Sequence, residues 1–384
     1  MNNKYGASHH SGDILNKKYG GLNMSNSFEK ILKNFGFGYM RLPMNGEDVD
    51  IPQTMQMVDT FLENGFNYFD TAHGYINGKS ELAIKECLSS RYPRDRYILT
   101  NKLSSNFFEK EEDIRPLFQQ QLEACGVEYF DFYLMHALSG ARMAQYEGAK
   151  AFETALTLKQ EGKIRHLGMS FHDSADALDQ ILTRHPEIEV VQIQFNYVDF
   201  EDDKVESRKC YEVCRKHGKP VIIMEPVKGG SLVNLPAAAQ RILDRMNGGS
   251  NASYAIRFAA GFEGVLMVLS GMSNMEQMLD NISYMKQFQP LAQEEQEALK
   301  KVCAIFRNQN LIPCTSCRYC TEVCPQEIPV PELFAALNAK RQDQSYEKVQ
   351  GTAPDACIRC GKCEEACPQN LNIRELLTVA AEEL

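Results

Sequence analysis

The chain has 384 residues, is 43% hydrophobic and 9% aromatic, and carries a formal net charge of −10. That length exceeds one average domain, and one large α/β barrel plus a small module would fill it. The acidic balance, with no local basic cluster, argues against nucleic acid as a partner, and without an apolar run of about 18 residues no membrane span is expected.

Residues 1–23 are polar and glycine-rich without periodicity, lack the apolar stretch of a secretory signal, and are expected to form a flexible extension. A helix-like apolar stretch, Phe28 to Leu32, follows. From residue 35 to 288 short apolar runs alternate with amphipathic segments of helical length. The runs are Phe35–Met40, Phe66–Phe69, Tyr97–Thr100, Phe130–Met135, Ile164–Met169, Val190–Phe195, Pro220–Met224 and Val265–Leu269. Between them lie Met55–Glu63, Ser80–Leu88, Ile114–Ala124, Lys150–Gln160, Ala175–Thr183, Val205–Lys216 and Met275–Met285. Near-continuous apolar strands alternating with helices predict a parallel sheet covered by helices. Eight units in about 250 residues, with no G-x-G-x-x-G turn after the first strand, predict an α/β fold of the (β/α)8 TIM-barrel type over 24–288. Residues 289–312 are expected to connect, through a helix over Leu291–Arg307, to a small domain over 313–384.

Asp70, Lys102, His136, Ser170, Gln194 with Asn196, Glu225 and Ser270 each end or follow an apolar run. On a barrel all of them project at the C-terminal face, where such folds do their chemistry. One strand-end Asp often only caps a helix; seven consecutive polar strand ends point to an active site. His73 and His172 lie on the same rim. His73 reads as a loop residue; His172 either leads a helix capped by Asp173 or Ser174 or touches cofactor or substrate.

The segments Asp70-Thr71-Ala72-His73-Gly74-Tyr75, Thr100-Asn101-Lys102 and Tyr133-Leu134-Met135-His136 resemble the aldo-keto reductases. Gly168-Met169-Ser170, Gln192-Ile193-Gln194-Phe195-Asn196-Tyr197 and Gly271-Met272-Ser273-Asn274 through Asp280-Asn281 extend the resemblance over about 260 residues. It implies a catalytic tetrad of Asp70, Tyr75, Lys102 and His136, a small-molecule carbonyl or alcohol substrate, and NAD(H) or NADP(H) as cofactor. Reducing a carbonyl builds negative charge on oxygen, so a proton donor must stand beside it. On that reading Tyr75 protonates the oxygen, Lys102 is the cation that favours the ionised form of the phenol, Asp70 pairs with Lys102, and His136 hydrogen-bonds the carbonyl oxygen. Cofactor contacts would come from Ser170, Gln194, Met224, Lys228 with its neighbouring glycines, Gly271, Ser273, Asn274, Gln277 and Asn281. The departures from the family pattern gather at the nicotinamide. Ser170-Phe171 stands where Ser-Asn is common, Met224-Glu225-Pro226 replaces a stacking aromatic, and uncharged Ser273-Asn274 offers nothing to a 2′-phosphate. This favours NADH over NADPH, or no nicotinamide at all.

Eight of the 13 cysteines form two runs, Cys314-Cys317-Cys320-Cys324-Pro325 and Cys357-Cys360-Cys363-Cys367-Pro368. The spacing C-x2-C-x2-C-x3-C-P is that of two [4Fe–4S] clusters, the fourth cysteine of each run ligating the other cluster. The expected sets are Cys314, Cys317, Cys320 and Cys367, and Cys357, Cys360, Cys363 and Cys324. Structural zinc would leave the third cysteine of each run without a role. The runs repeat at 43 residues, and the match continues through Pro325-Gln326 with Pro368-Gln369 to Glu332-Leu333 with Glu375-Leu376. Each run therefore leads into a helix, Pro331–Lys340 or Ile373–Glu382, which resembles the α-helical ferredoxin type. The other cysteines, Cys87, Cys125, Cys210, Cys214 and Cys303, make no disulfide framework and suit a reducing cytoplasm.

These features together predict an oxidoreductase of the aldo-keto reductase type whose clusters pass electrons, with a ferredoxin or another redox carrier as a partner. Clusters move one electron and hydride two, so a flavin in the barrel mouth is a candidate converter. The alternatives are a ferredoxin-dependent reductase without nicotinamide, and an electron-transfer subunit whose barrel docks a partner.

Overall fold

The computed structural model describes residues 26–384 except 247, 310 and 343, so the extension expected over 1–23 lies outside the described residues. Eight parallel strands close into a barrel: β1 (Phe35–Gly38), β2 (Tyr68–Asp70), β3 (Ile98–Leu103), β4 (Phe130–Leu138), β5 (Ile164–Phe171), β6 (Val190–Gln194), β7 (Val221–Met224) and β8 (Val265–Gly271). β1 pairs with both β2 and β8, which completes the ring. The apolar runs and the strands coincide to within a few residues at each end.

The helices form where one face can be buried. In Ile51–Glu63, Asp50 caps the first turn by accepting the Gln53 N–H at 3.0 Å, and Met57, Val58, Phe61 and Leu62 turn inward. Phe61 meets Phe35, Phe37, Phe66 and Phe69, stacking on Phe66 with ring centroids 5.0 Å apart. Cys210 and Cys214 lie on the buried face of the helix Ser207–Lys216. Three further barrel helices lie outside the expected segments: Gly140–Gly148, Ala237–Asp244 and Asn251–Ala260.

The apolar stretch Phe28–Leu32 is not a helix of its own. Helix Asn26–Glu29 ends in a turn that buries Phe28 and Ile31 and leaves Leu32 61% exposed. Phe28 contacts Phe132 and His166 near the starts of β4 and β5 and joins the interior cluster of Tyr68, Ile98, Phe132, Leu134, Val190, Ile222 and Leu266. The chain thus plugs the N-terminal end of the barrel, and the C-terminal end remains for chemistry.

Helix Gln293–Arg307 leaves the barrel and packs against Ala237–Asp244, adding Leu299, Val302 and Cys303 to a satellite core with Tyr197, Leu243 and Tyr254. Arg257 fixes its first turn through Glu295, at 2.8 and 2.9 Å. The last segment builds its own core from Ile312, Ile328, Val330, Leu333, Phe334, Leu337, Ile373, Leu377 and Ala380 under the helices Val330–Arg341 and Ile373–Glu383. The 43-residue repeat extends to its backbone. Left-handed residues recur at Ser316 and Arg359, at Arg318 and Gly361, and at Glu327 and Asn370. The N–H of Ser316 points at Cys314 Sγ and that of Arg359 at Cys357 Sγ, each at 3.4 Å. Among the described residues no helix is long and apolar enough to cross a membrane.

Gly168 on β5 tests the interior packing. A Cβ there would stand 2.5 Å from side-chain atoms of Leu134 and Val190 and 2.9 Å from the Val190 carbonyl oxygen. Gly168→Ala is expected to cost about 1–3 kcal/mol through overpacking, read as a fall in Tm on thermal unfolding; an unchanged Tm would show that the interior is looser than these distances.

Candidate active site

Lys102 sits at the centre of the C-terminal mouth, fully buried on β3. Its three ammonium protons are all placed: on Asp70 Oδ1 at 2.6 Å, on the Thr71 carbonyl at 2.8 Å and on the Tyr75 hydroxyl at 3.3 Å. Burial pushes the Asp70 carboxyl up and the Lys102 ammonium down, and their mutual contact opposes both shifts. Behind Lys102 a polar network holds the strand in place. Tyr133 donates to Gln121, Gln121 donates to the Lys102 carbonyl and to Asn101, and Asn101 donates to Glu81 at 2.7 Å. The other Glu81 oxygen meets His73 Nδ1 at 2.8 Å, which places His73 at the end of this network in the loop after β2.

Tyr75 is held by its own tight loop. Its N–H donates to the Ala72 carbonyl, its carbonyl accepts from Gly78 and Ser80, and the chain turns through left-handed Ile76, Asn77 and Gly78. Sequence chemistry expects Lys102 to favour the phenolate; the structure corrects this. Burial first, then the Asp70 charge, push the Tyr75 phenol above its ordinary value. The ammonium is neutralised by Asp70, so the pair offers the phenol little net charge. Tyr75 therefore stays protonated through the neutral range, as an acid must.

His136 lies where β4 is irregular: the register with β5 shifts between Met135 and Leu138, and Ala137 has φ +51°. Ser170 Oγ accepts the Ala137 N–H at 2.7 Å, and Tyr146 donates to the carbonyls of His136 and Leu103. The His136 ring lies 5.9 Å from that of Tyr75, edge to face, and its Nδ1 meets Ser104 Oγ at 2.5 Å. Burial, with the nearby Lys102 charge, holds the imidazole well below its ordinary pKa. A neutral ring with Ser104 on Nδ1 leaves Nε2 to carry a proton for an incoming oxygen.

The small C-terminal domain closes this mouth. Tyr319, between Cys317 and Cys320, stands against Tyr75, and its ring lies 6.3 Å from that of His136. Thr315 is buried against the loop after β7: its carbonyl accepts from Arg41 at 2.6 Å, and its backbone passes so close to Gly229 that a Cβ there would stand 2.5 Å away. Gln369 is buried against β6. Its carboxamide and that of Gln194 exchange hydrogen bonds of 2.7 and 3.0 Å. Arg142 adds a bond to the Glu365 carbonyl.

The residues expected to hold a nicotinamide are engaged elsewhere. Gln194 bonds Gln369 and also Asp199 at 2.7 Å, and Ser170 serves the β4 bend. Met224 is half-buried at the end of β7 beside Glu225, which has φ +54° and accepts the Gly229 N–H. Lys228, expected at a pyrophosphate, is instead buried on Asp199 at 2.5 Å. Gly271 receives the stem of Arg41, whose guanidinium lies 3.6 Å from Glu225. The Ser273 N–H donates to Gln277 Oε1 at 2.7 Å, Asn274 caps the helix Met275–Met285, and Asn281 donates to Ser270 at 3.0 Å. Ser174 caps the helix after β5, and the neighbouring His172 Nδ1 is buried without a partner, its pKa lowered to about 3 by burial and then by the Arg142 charge.

Sequence reasoning missed Tyr319, Thr315, Gln369 and Arg41. One signal was available: the repeat places Thr315 opposite Ile358 and Tyr319 opposite Lys362, and such mismatched spacer residues mark a half that meets a different surface.

The cysteines form two groups. Cys324, Cys357, Cys360 and Cys363 line one cavity of about 350 Å³, walled otherwise mainly by Pro325, Ile328, Val330, Ile358 and Leu377. Burial pushes the thiols of Cys317 (to about 12), Cys314 and Cys320 up, and each is raised further by Cys367. Thiols converging on a largely apolar cavity, with backbone N–H groups aimed at sulfur, suit a cubane cluster.

An aldo/keto reductase family profile matches residues 34–304, more than half the chain, and a 4Fe-4S dicluster domain profile matches residues 313–371. The chain belongs to the aldo/keto reductase family and carries a 4Fe-4S dicluster domain behind its barrel. It is 25% identical over 316 residues to the NADH-specific methylglyoxal reductase of Escherichia coli (strain K12), covering 74% of this chain and 84% of that one. To the L-galactose dehydrogenase of Arabidopsis thaliana it is 24% identical over 260 residues, 63% of this chain and 80% of the other. The barrel also matches solved structures: an aldo-keto reductase from Bacillus halodurans in its holo form (TM-score 0.59, 23% identity, 70% of this chain and 91% of that one) and one from Klebsiella pneumoniae in complex with NADPH (TM-score 0.57, 20% identity, 70% and 90%).

The shifts at Tyr75 and His136 set a pH profile. A phenol raised above ~10 stays protonated, and an imidazole lowered below ~6.5 stays neutral, across the range between those values. Carbonyl reduction is expected to run level from about pH 6 to pH 9 in kcat/KM. A break near pH 6.5 would show His136 titrating as an ordinary histidine.

Proposed function

We propose that this protein is an oxidoreductase that interconverts a carbonyl and an alcohol on a small molecule at Tyr75, with electrons passing through two [4Fe–4S] clusters in the C-terminal domain. The observation that carries the reading is the contact of Asp70, Lys102 and Tyr75 beside neutral His136, capped by a tyrosine from within a cysteine run. Eight cysteines would hold the clusters in the crossed arrangement: Cys314, Cys317, Cys320 and Cys367 for one, Cys357, Cys360, Cys363 and Cys324 for the other. When bound, such clusters supply single electrons.

The chain's own residues handle the proton. Lys102 donates to the Tyr75 oxygen, so the phenol's own proton is left to give. His136 Nε2–H binds the substrate oxygen and fixes its direction, stabilising the charge that develops there. Reducing a carbonyl to an alcohol takes two electrons and two protons: Tyr75 delivers one proton to the oxygen, a stronger base than a phenolate once charge has developed there, and the other, which forms the C–H bond, is taken from solvent. Asp70 keeps Lys102 charged and aimed while burial works against both. In the oxidising direction the same groups act in reverse.

Turnover of a panel of small aldehydes and ketones, followed with anaerobically purified protein and a chemical reductant, tests this. Tyr75→Phe is expected to lower kcat by about 10²–10⁴-fold; unchanged turnover would remove Tyr75 as the acid and leave the barrel a docking body. Cluster ligation has a separate test. Cys324→Ser and Cys360→Ser are expected to lose the same cluster and Cys367→Ser the other, each taking iron from about eight to about four atoms per chain. Electron paramagnetic resonance of the reduced protein tells the two clusters apart, and a Cys324→Ser loss matching that of Cys320→Ser would refute the crossed arrangement.

A further inference from the structure

The barrel face that should receive a nicotinamide is covered, and the cover comes from the chain itself. Three separate contacts lie along it. Gln194, expected to hold the nicotinamide carboxamide, is paired through both of its own amide groups with the carboxamide of Gln369. Gly229, expected to let a pyrophosphate approach, has the backbone of Thr315 against it, with O, Cα and C at 2.5, 2.7 and 2.9 Å from where a Cβ would be. Lys228, the nearest cation for a phosphate, is neutralised by Asp199 inside the protein. Gln194, Gln369, Lys228 and Thr315 are each no more than 5% exposed, so these are sealed contacts.

We infer that the cluster domain is the resident occupant of the nicotinamide face, with Gln369 supplying the carboxamide that a nicotinamide would otherwise bring, and that this chain does not bind NAD(H) or NADP(H) in its barrel. Admitting a dinucleotide means breaking the Gln194–Gln369 pair, withdrawing Thr315 from Gly229 and parting Lys228 from Asp199. Each step uncovers buried polar groups that only the incoming cofactor could satisfy again. At the 2′-phosphate end Ser273 and Asn274 bear no charge and already serve the first turn of their helix, and the neighbouring Arg41 guanidinium is engaged by the Thr315 carbonyl and Glu225. The unfilled space on that side is a cleft of about 20 Å³ lined by Phe171, His172, Ile193, Gln194, Pro368 and Asn370, far below the volume of a ligand pocket. The inference rests on the reading of Tyr75 and the cluster cysteines given above, and it narrows that reading: reducing equivalents enter through the cluster domain.

The test is binding to the intact, anaerobically purified, cluster-loaded protein. Calorimetric titration with NADH and then NADPH is expected to show no saturable binding up to about 1 mM, the upper end of ordinary KM values. Hydrogen exchange of peptides covering residues 226–232, 314–320 and 366–371 is expected to be equally slow with and without either nucleotide. Saturable binding, or faster exchange of those peptides on adding nucleotide, would overturn the inference. Nicotinamide binding with turnover that still collapses in Tyr75→Phe would sink this inference and leave the proposed reaction standing. No binding, with turnover indifferent to Tyr75→Phe, would keep the inference and remove the reaction.

Discussion

A lysine ammonium inside a protein is expensive unless every proton on it has a partner, and Lys102 is arranged around that constraint. Asp70 arrives on the neighbouring strand, paired with Thr100 on β3 itself, so closing the barrel is what brings acid and base together. Removing one partner of such a pair strands the other charge at a cost of about 3–5 kcal/mol. Parallel register, strand length and the network through Gln121, Asn101 and Glu81 all converge on this one ion pair. The Tyr75 loop is anchored by the same ammonium, so the proposed acid is positioned by the group that is hardest to bury.

The domain behind the barrel is built twice from one pattern, and its two halves are used differently. Both cluster loops turn through left-handed residues at matching positions, and both end in helices that share a core. The first loop, however, presents Thr315 and Tyr319 to the barrel, whereas their counterparts Ile358 and Lys362 are exposed to solvent. Gln369 from the second half returns to the barrel, while its counterpart Gln326 lines the cavity of Cys324, Cys357, Cys360 and Cys363. Cys360 is exposed, whereas its counterpart Cys317 is partly buried. The first cysteine loop therefore lies on the barrel mouth, and the second half reaches the barrel through Glu365 and Gln369 at the end of its loop.

Much of this was legible in the sequence, and the physical reason is local. All eight strands announce themselves because a parallel strand buried on both faces must be apolar throughout. Asp70, Lys102 and His136 could be placed because a strand end in a barrel has only one destination. The cysteine runs could be read because cluster geometry dictates spacing within a dozen residues. What stayed hidden depends on surfaces far apart in the chain. Gln194 and Gln369 are 175 positions apart, and nothing near either announces the other. Lys228 reads as a phosphate ligand because its glycine neighbours suggest one; only the fold reveals Asp199 beside it. The Tyr75 phenol was misjudged for a related reason: Lys102 was visible as a charge, but its neutralisation by Asp70 inside a dry site is a property of packing. The helices at 140–148, 237–244 and 251–260 went unread although their apolar faces are at least as marked as those of Glu111–Cys125 and Ala151–Gln160, which were read.

Gly229 meets backbone atoms of Thr315, not its side chain. The fit between barrel and cluster domain is therefore written in main-chain shape, and the two partners carry it unequally. Residue 229 has one permissible identity, fixed both by its left-handed φ of +62° and by the carbonyl lying over it. Position 315 is constrained only to hold its course, and any residue of similar bulk can follow the same path. Over evolutionary time the barrel side of this seam is where variation is barred, while the cluster loop can change its side chain and still seat the domain in the same place.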